Sequence, residues 1–297
     1  MNVERPELTN ALAMPPRLIV IGDVHGDLDK LKKALRIYGI IDNYDEWVCN
    51  PPNSIIVQMG DQVDSKMRNM FEEGAETDWE YGVDTDVILF METLDMKARQ
   101  LGGRVISLLG NHEIMNRMGD FSFVSARSMS NSGGGKERER RFQPGGDMAA
   151  ILRLRPSIVV IGDIVFVHAG ILPHHIEAIF NAYGTRNLNQ QQLISVINTT
   201  SSNIIAGIPV HGEIAKHIFM EMEGLIWTRA YVSFDETRIG ALLDEVLPHL
   251  GARRVIVGHT VVDNVIPRCN GKVWFVDCGL SRAFGEKPSV QLLDIRN

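Results

Sequence analysis

The chain has 297 residues, 44% of them hydrophobic, enough to bury a large core as one domain spanning 1–297. A formal charge of −7 argues against the basic face of a general nucleic-acid binder, so no nucleic acid is expected as a partner. No apolar run approaches the roughly 18 residues of a membrane span, and the polar, acidic start MNVERPELTN lacks the profile of a secretion signal.

RLIVI (17–21) predicts the first strand, and Leu28, Leu31, Leu35 and Tyr38 then share one helical face. SIIVQM (54–59) predicts a second strand, and the acidic stretch from Glu72 to Asp86 reads as a surface insertion. Val87, Met91, Leu94, Ala98 and Leu101 mark a helix before the strand RVISLL (104–109). SMSNSGGGKERERR (128–141) has the composition of a flexible insertion, its alternating charges those of a solvated loop or of a segment ordering over a phosphorylated partner. SIVVI (157–161) and IVFVH (164–168) flank Gly162-Asp163 and form a hairpin. The strongest amphipathic helix covers about 235–250, followed by strands RVIVG (254–258), KVWFVD (272–277) and VQLLDI (290–295). Early strand–helix alternation with a later hairpin predicts an α/β fold with mixed sheets. Cys49, Cys269 and Cys278 are sparse and lack metal-knuckle spacing, so the expected location is the cytoplasm or another reducing compartment.

One pattern recurs along the chain. An apolar run ends, a glycine follows, and then comes a metal-ligating residue, at Gly22-Asp23, Gly60-Asp61, Gly110-Asn111 and Gly258-His259. A fifth strand ends directly in His168. In open α/β sheets, functional groups gather beyond the carboxyl ends of strands. A Gly-Asp pair alone is ordinarily only a turn, as Gly162-Asp163 and Gly119-Asp120 illustrate; the joint occurrence carries the weight. Asp23, His25, Asp61, Asn111, His168 and His259 offer oxygen and imidazole donors without thiolate, a set suited to catalytic manganese, iron or zinc. A carboxylate shared between two ions would complete a centre able to activate water against phosphorus.

GDVHG (22–26), GDQVD (60–64) and GNHE (110–113), with later His168 and His259, resemble the calcineurin-like metallophosphoesterases, in particular their phosphoprotein phosphatase branch. The resemblance covers about residues 17–285. FQPGGDMAAIL (142–152), GLIWTRAY (224–231) and DCGLSRAFG (277–285) are similar to the bacterial-type Shewanella-like phosphatases. It implies two mixed sheets packed as a sandwich flanked by helices, and two divalent metal ions, manganese foremost. Asp23 and His25 would hold one ion, Asp61 would bridge, and Asn111, His168 and His259 would complete the other. The nucleophile would be a hydroxide bridging the two ions, so no phospho-enzyme is expected. His112 would protonate the leaving group, with Asp64 orienting it. The implied substrate is a phosphorylated protein or peptide.

The sequence departs from its relatives at one place. The usual Val-Asp-Arg-Gly is here Val63-Asp64-Ser65-Lys66, so a phosphate-gripping arginine is missing. Arg229, in GLIWTRAY, is the first candidate to supply a guanidinium, Arg68 the second and Lys66 the third. Ser65 is the one feature favouring a catalytically weak phosphate-binding adaptor; a dinucleoside polyphosphate or other nucleotide hydrolase is the alternative on the same core. His174 and His175 are expected at a surface helix start, and His211 and His217, six apart, do not stack on one helical face. Cys278 is expected to be a buried strand-end thiol, and the methionines from Met59 to Met96 adaptable packing.

Overall fold

A computed structural model describes residues 11–68, 82–285 and 290–297. Its strands are Ala11–Leu12 (β1), Arg17–Ile21 (β2), Ile55–Gln58 (β3), Arg104–Ser107 (β4), Ile158–Ile161 (β5), Ile164–Val167 (β6), Arg254–Val257 (β7), Ile266–Arg268 (β8), Val273–Phe275 (β9) and Leu293–Arg296 (β10). They build a four-stranded sheet, β10-β2-β3-β4, and a six-stranded sheet, β1-β5-β6-β7-β9-β8. Both are mixed. β2, β3 and β4 run parallel while β10 is antiparallel; β6, β7 and β9 run parallel, β5 is antiparallel to β6 but parallel to β1, and β8 is antiparallel to β9.

The helices are Leu28–Ile37 (α1), Asp86–Gln100 (α2), Asn111–Arg117 (α3), Ala126–Asn131 (α4), Gly135–Phe142 (α5), Asp147–Leu152 (α6), Pro173–Tyr183 (α7), Gln190–Ala206 (α8), Gly212–Ala215 (α9), Ala230–Ser233 (α10) and Glu236–Val246 (α11). Successive strand side chains point to opposite faces, and here both faces are covered. Leu18, Val20, Val57 and Met59 pack inward against Val159, Ile161, Phe166 and Ile256 of the other sheet. Ile19, Ile21 and Ile56 face the opposite way, against Leu31 and Leu35 of α1 and Val87, Met91 and Leu94 of α2. Val160, Val165 and Val167 meet the helices on the outer face of the larger sheet. This double burial is why the strands read as continuous apolar runs.

The expected flexible insertion at 128–141 is instead helical. Ser125 caps α4 by accepting from the Ser128 N–H, Gly133 and Gly134 turn the chain at φ +88° and +89°, and α5 follows. KERERR is not a solvated loop: Arg138 is fully buried. Of the acidic stretch, residues 72–81 lie outside the described residues, while Asp84 and Thr85 are buried rather than surface-exposed. His175 is also buried, at the third position of α7, where its Nδ1 accepts from the Leu172 N–H. Cys278 is only partly buried. β8 carries no sequence signal because Pro267 interrupts it, which an edge strand tolerates. No helix among the described residues is long and apolar enough to cross a membrane.

Candidate active site and metal centre

The carboxyl ends of β2, β3 and β4 face those of β6 and β7, and the glycine-led loops after them interlock. The His259 N–H donates to Asp23 Oδ1 and Oδ2 (3.2 and 3.1 Å), and the Gly258 N–H to the His168 carbonyl (2.8 Å). A Cβ on Gly110 would lie 2.2 Å from Asp61 Oδ1, and one on Gly258 2.5 Å from Asp23 Oδ1. Only glycine admits such an approach. His25, Asp61, Asp64 and His259 all have positive φ (42°, 52°, 73° and 65°), a backbone strain that such sites concentrate.

Two clusters of potential ligands share one carboxylate: His25, Asp61 and His112 form the first, Asp61, His168 and His259 the second. Asp61 Oδ2 lies 3.9 Å from His25 Nε2 and 3.3 Å from His168 Nε2. Asp23 Oδ2 lies 3.9 Å from His25 Nε2, and Asn111 Oδ1 3.1 Å from His168 Nε2. All six sequence-predicted ligands therefore converge. The carbonyls of Val63, Met59 and Trp227 lie 3.1, 2.6 and 3.0 Å from His25 Nδ1, His168 Nδ1 and His259 Nε2. Donation to these carbonyls orients each ring and leaves its other nitrogen to the site.

The electrostatics suit cations. Burial pushes Asp23 well above the usual carboxylate range, helped by the Asp277 and Asp61 carboxylates. Burial would raise Asp61 too, but the His168, His112 and His25 imidazoles hold it well below. Burial disfavours charge on His168, yet Asp61 and Asp23 together draw it up to about 10. The cluster thus seeks positive charge, and Asp277 Oδ2, buried without a hydrogen-bond partner among the described residues, adds to that demand. An oxygen and imidazole set with surplus buried carboxylate fits two divalent ions.

Beside the clusters, Asp64 Oδ2 lies 2.6 Å from His112 Nδ1. The His112 N–H donates to Asp61 Oδ1 at 3.0 Å, tying the dyad to the shared carboxylate. Glu113 binds the motif loops together, accepting the N–H groups of Gly110, Asp61 and Gln62 (2.7, 3.0 and 2.7 Å). Glu113 was legible as the third helical residue of a capping arrangement, although only its neighbour His112 carried an expectation. Asp84, Asn116 and Arg138, also near the site, carry no local motif, and Asp277, which opens DCGLSRAFG, carried no expectation of its own.

Ser65 is fully buried, its Oγ 3.2 Å from Ser125 Oγ, and Gly26 lies so close that an added Cβ would meet the Ser65 Cβ at 2.8 Å. Arg68 lies across the cleft. Its Nη2 is 3.2 Å from His25 Nδ1 and 3.4 Å from His112 Nε2, and its guanidinium packs over Phe284 and Phe123 (4.8 and 5.4 Å to the ring centroids). Nη1 is buried without a hydrogen-bond partner among the described residues. Lys66 instead donates to the Ser122 carbonyl. Arg229 is exposed at the rim, donating to Thr260 Oγ1 at 2.9 Å. Burial first, then the His168 imidazole and, more weakly, the Arg229 guanidinium push His259 down to about 3. His174, His211 and His217 line a separate pocket of about 410 Å³.

Two packed mixed sheets delivering this donor set to facing strand ends define a metal-dependent phosphoesterase. The calcineurin-like phosphoesterase profile matches residues 16–263, and the chain belongs to that family, whose members use two divalent metals. It is 28% identical to Shewanella-like protein phosphatase 2 of Arabidopsis thaliana over 90% of this chain and 72% of that protein. It is 25% identical to Shewanella-like protein phosphatase 1 of Plasmodium berghei, over 89% and 67% respectively. Among solved structures, it resembles the cold-active protein-tyrosine phosphatase of a psychrophilic Shewanella species. There the TM-score is 0.73 and the identity 25%, covering 97% of this chain and 77% of that one.

Proposed function

We propose that this chain is a metal-dependent protein phosphatase acting on phosphomonoesters, with phosphotyrosine as its preferred group and manganese as its metal. Asp23, His25, Asp61, Asn111, His168 and His259 would hold two divalent ions. When bound, these ions supply Lewis-acid polarisation of the phosphoryl oxygens and acidify water. The observation that carries the reading is Arg68. A half-buried guanidinium whose buried Nη1 has no hydrogen-bond partner among the described residues, with its Nη2 3.4 Å from His112 Nε2, is a donor that an anion between the two side chains would satisfy. Arg68 would thus take the place left by Ser65, which speaks against the non-catalytic adaptor that Ser65 alone favours.

His112 gives its Nε2 proton to the departing oxygen as the P–O bond breaks, while Asp64 accepts from Nδ1 and keeps the ring aligned. Arg68 binds the phosphoryl oxygens, and Arg229 reaches toward the substrate from the rim. Phe123, 39% exposed, stands with its ring 5.2 Å from that of His112, the residue that would protonate the leaving group. An aromatic wall there favours a phenolic leaving group by offset or edge stacking, worth about 0.5–1.5 kcal/mol. The solved relative's name, a protein-tyrosine phosphatase, agrees with this preference.

The test compares phosphate release from phosphotyrosine and phosphoserine peptides and a dinucleoside polyphosphate, with manganese, iron or zinc added and with chelator. Manganese-dependent release, fastest from phosphotyrosine and abolished by chelator, is expected. Faster turnover of the dinucleoside polyphosphate, or release unaffected by chelator, would overturn the reading.

A further inference from the structure

Helix α5 brings a fully buried guanidinium against the His112–Asp64 pair, although it lies far along the chain. Arg138 Nη1 and Nη2 donate to Asp84 Oδ1 and Oδ2 (2.7 and 2.8 Å), a bidentate fork. Its Nε donates to Asn116 Oδ1 at 2.7 Å, and Nη2 reaches Asp64 Oδ1 at 3.4 Å. The Phe142 and Phe121 rings lie beside the guanidinium (5.2 and 5.8 Å to their centroids).

Asp84 and Asn116, both held by Arg138, act in turn on Asp64. Asp84 Oδ2 accepts the Asp64 N–H at 2.8 Å and so holds a backbone at φ +73°. Asn116 Nδ2 donates to Asp64 Oδ1 at 2.8 Å and to the His112 carbonyl at 2.9 Å. Nε fixes the Asn116 amide the right way round, oxygen to Arg138 and nitrogen to Asp64. With Oδ1 held on one side, only Oδ2 is left to face His112 Nδ1. A carboxylate free to rotate would let the imidazole swing, and misplacement of a reacting group by about 1 Å costs on the order of 10²-fold in rate.

We propose that Arg138 is a positioning residue for phosphoester cleavage: through Asp84 and Asn116 it locks the Asp64 carboxylate and, by that route, the His112 ring. This rests on the reading of His112 as the group that protonates the leaving oxygen. It makes α5 part of the catalytic support rather than an insertion beside it.

The experiment is a double-variant cycle on Arg138→Lys and His112→Asn. Turnover of phenyl phosphate, whose phenolate needs the proton, is compared with that of p-nitrophenyl phosphate, whose phenolate hardly does. Thermal midpoint and metal per chain are measured alongside. Arg138→Lys, which keeps the charge and loses the fork, is expected to slow phenyl phosphate by about 10-fold, a fraction of the 10²–10⁴ a general acid supplies, and p-nitrophenyl phosphate by much less. On the His112→Asn background the Arg138→Lys effect on rate is expected to vanish while its lowering of the thermal midpoint persists. An equal rate loss on both substrates and both backgrounds would overturn the proposal and leave Arg138 a structural residue only. If His112→Asn itself slows both substrates equally, the reading of His112 fails, and the proposal with it. Should Arg138→Lys not fold, the paired Arg138→Gln/Asp84→Asn variant removes the Arg138–Asp84 charges together, and its rates on the two substrates carry the same comparison.

Discussion

Two regions enclose His112, and they are built on opposite principles. The strand-exit loops hold their groups through the main chain: glycines permit close approach, positive φ aims the side chains, and Glu113 gathers three N–H groups. The α4–α5 region works through side chains, with one buried ion pair, Arg138–Asp84, joining segments 54 residues apart. The first kind of construction sets where the reacting atoms lie. The second sets which way one carboxylate faces, and it depends on charges that would be costly to bury unpaired.

Substitution of the shared carboxylate should produce the largest effect. Asp61→Asn is expected to lower activity on the order of 10³-fold, since both ligand clusters lose their common anion and with it several kcal/mol of Lewis-acid stabilisation. Metal analysis should show less than the full complement. A variant that keeps both ions would break the view that this loop region is organised around Asp61.

The two cationic candidates give a smaller effect and a sharper one. Arg68→Ala is expected to cost roughly 10²-fold in kcat/KM, as loss of a desolvated donor to developing charge does. Arg229→Ala, at an exposed position, should cost less than about 10-fold. The reverse order would return the principal grip to Arg229, the first expectation from sequence, and make Arg68 a wall of the cleft.

The last effect concerns stability, with the smallest consequence for rate. Burial would raise Asp84, but the Arg138 guanidinium and the donors Asp64 N–H and Ser128 hold its carboxyl below the ordinary range. A depressed carboxyl pKa contributes stability above the unfolded value of about 4, and that contribution is lost as pH falls through the folded value. In Arg138→Met only burial and the weaker donors remain, and Asp84 moves upward. The variant should therefore be less stable by about 3–5 kcal/mol near pH 7. The gap to the native chain should narrow as pH falls toward about 4. Thermal midpoints across that range measure it; a gap that stays constant with pH would show that Arg138 contributes packing rather than charge pairing.

The pattern of legibility follows the same division. RLIVI, SIIVQM, RVISLL and IVFVH became β2, β3, β4 and β6 within a residue or two, because strands buried on both faces leave an apolar run that local composition reveals. The glycine-led ligands were legible because a close backbone approach needs glycine at one fixed offset from the donor. SMSNSGGGKERERR misled for the converse reason: its charges look solvated until Asp84 is brought beside Arg138. His175 misled likewise, since its partners are the Leu172 N–H and the Glu223 carbonyl.

What the sequence by itself determined is the α/β class, the strand ends and the six donors placed at them. These depend on short-range chemistry: side-chain periodicity, turn conformation and donor type. Only the tertiary structure decided that Arg68 lies across the cleft while Ser65 turns toward Ser125. Only it, too, assembled the support behind Asp64 from Asp84, Asn116 and Arg138. A charge pair formed across tens of residues leaves no periodic trace, because its energy depends on burial and distance, which only the folded chain defines.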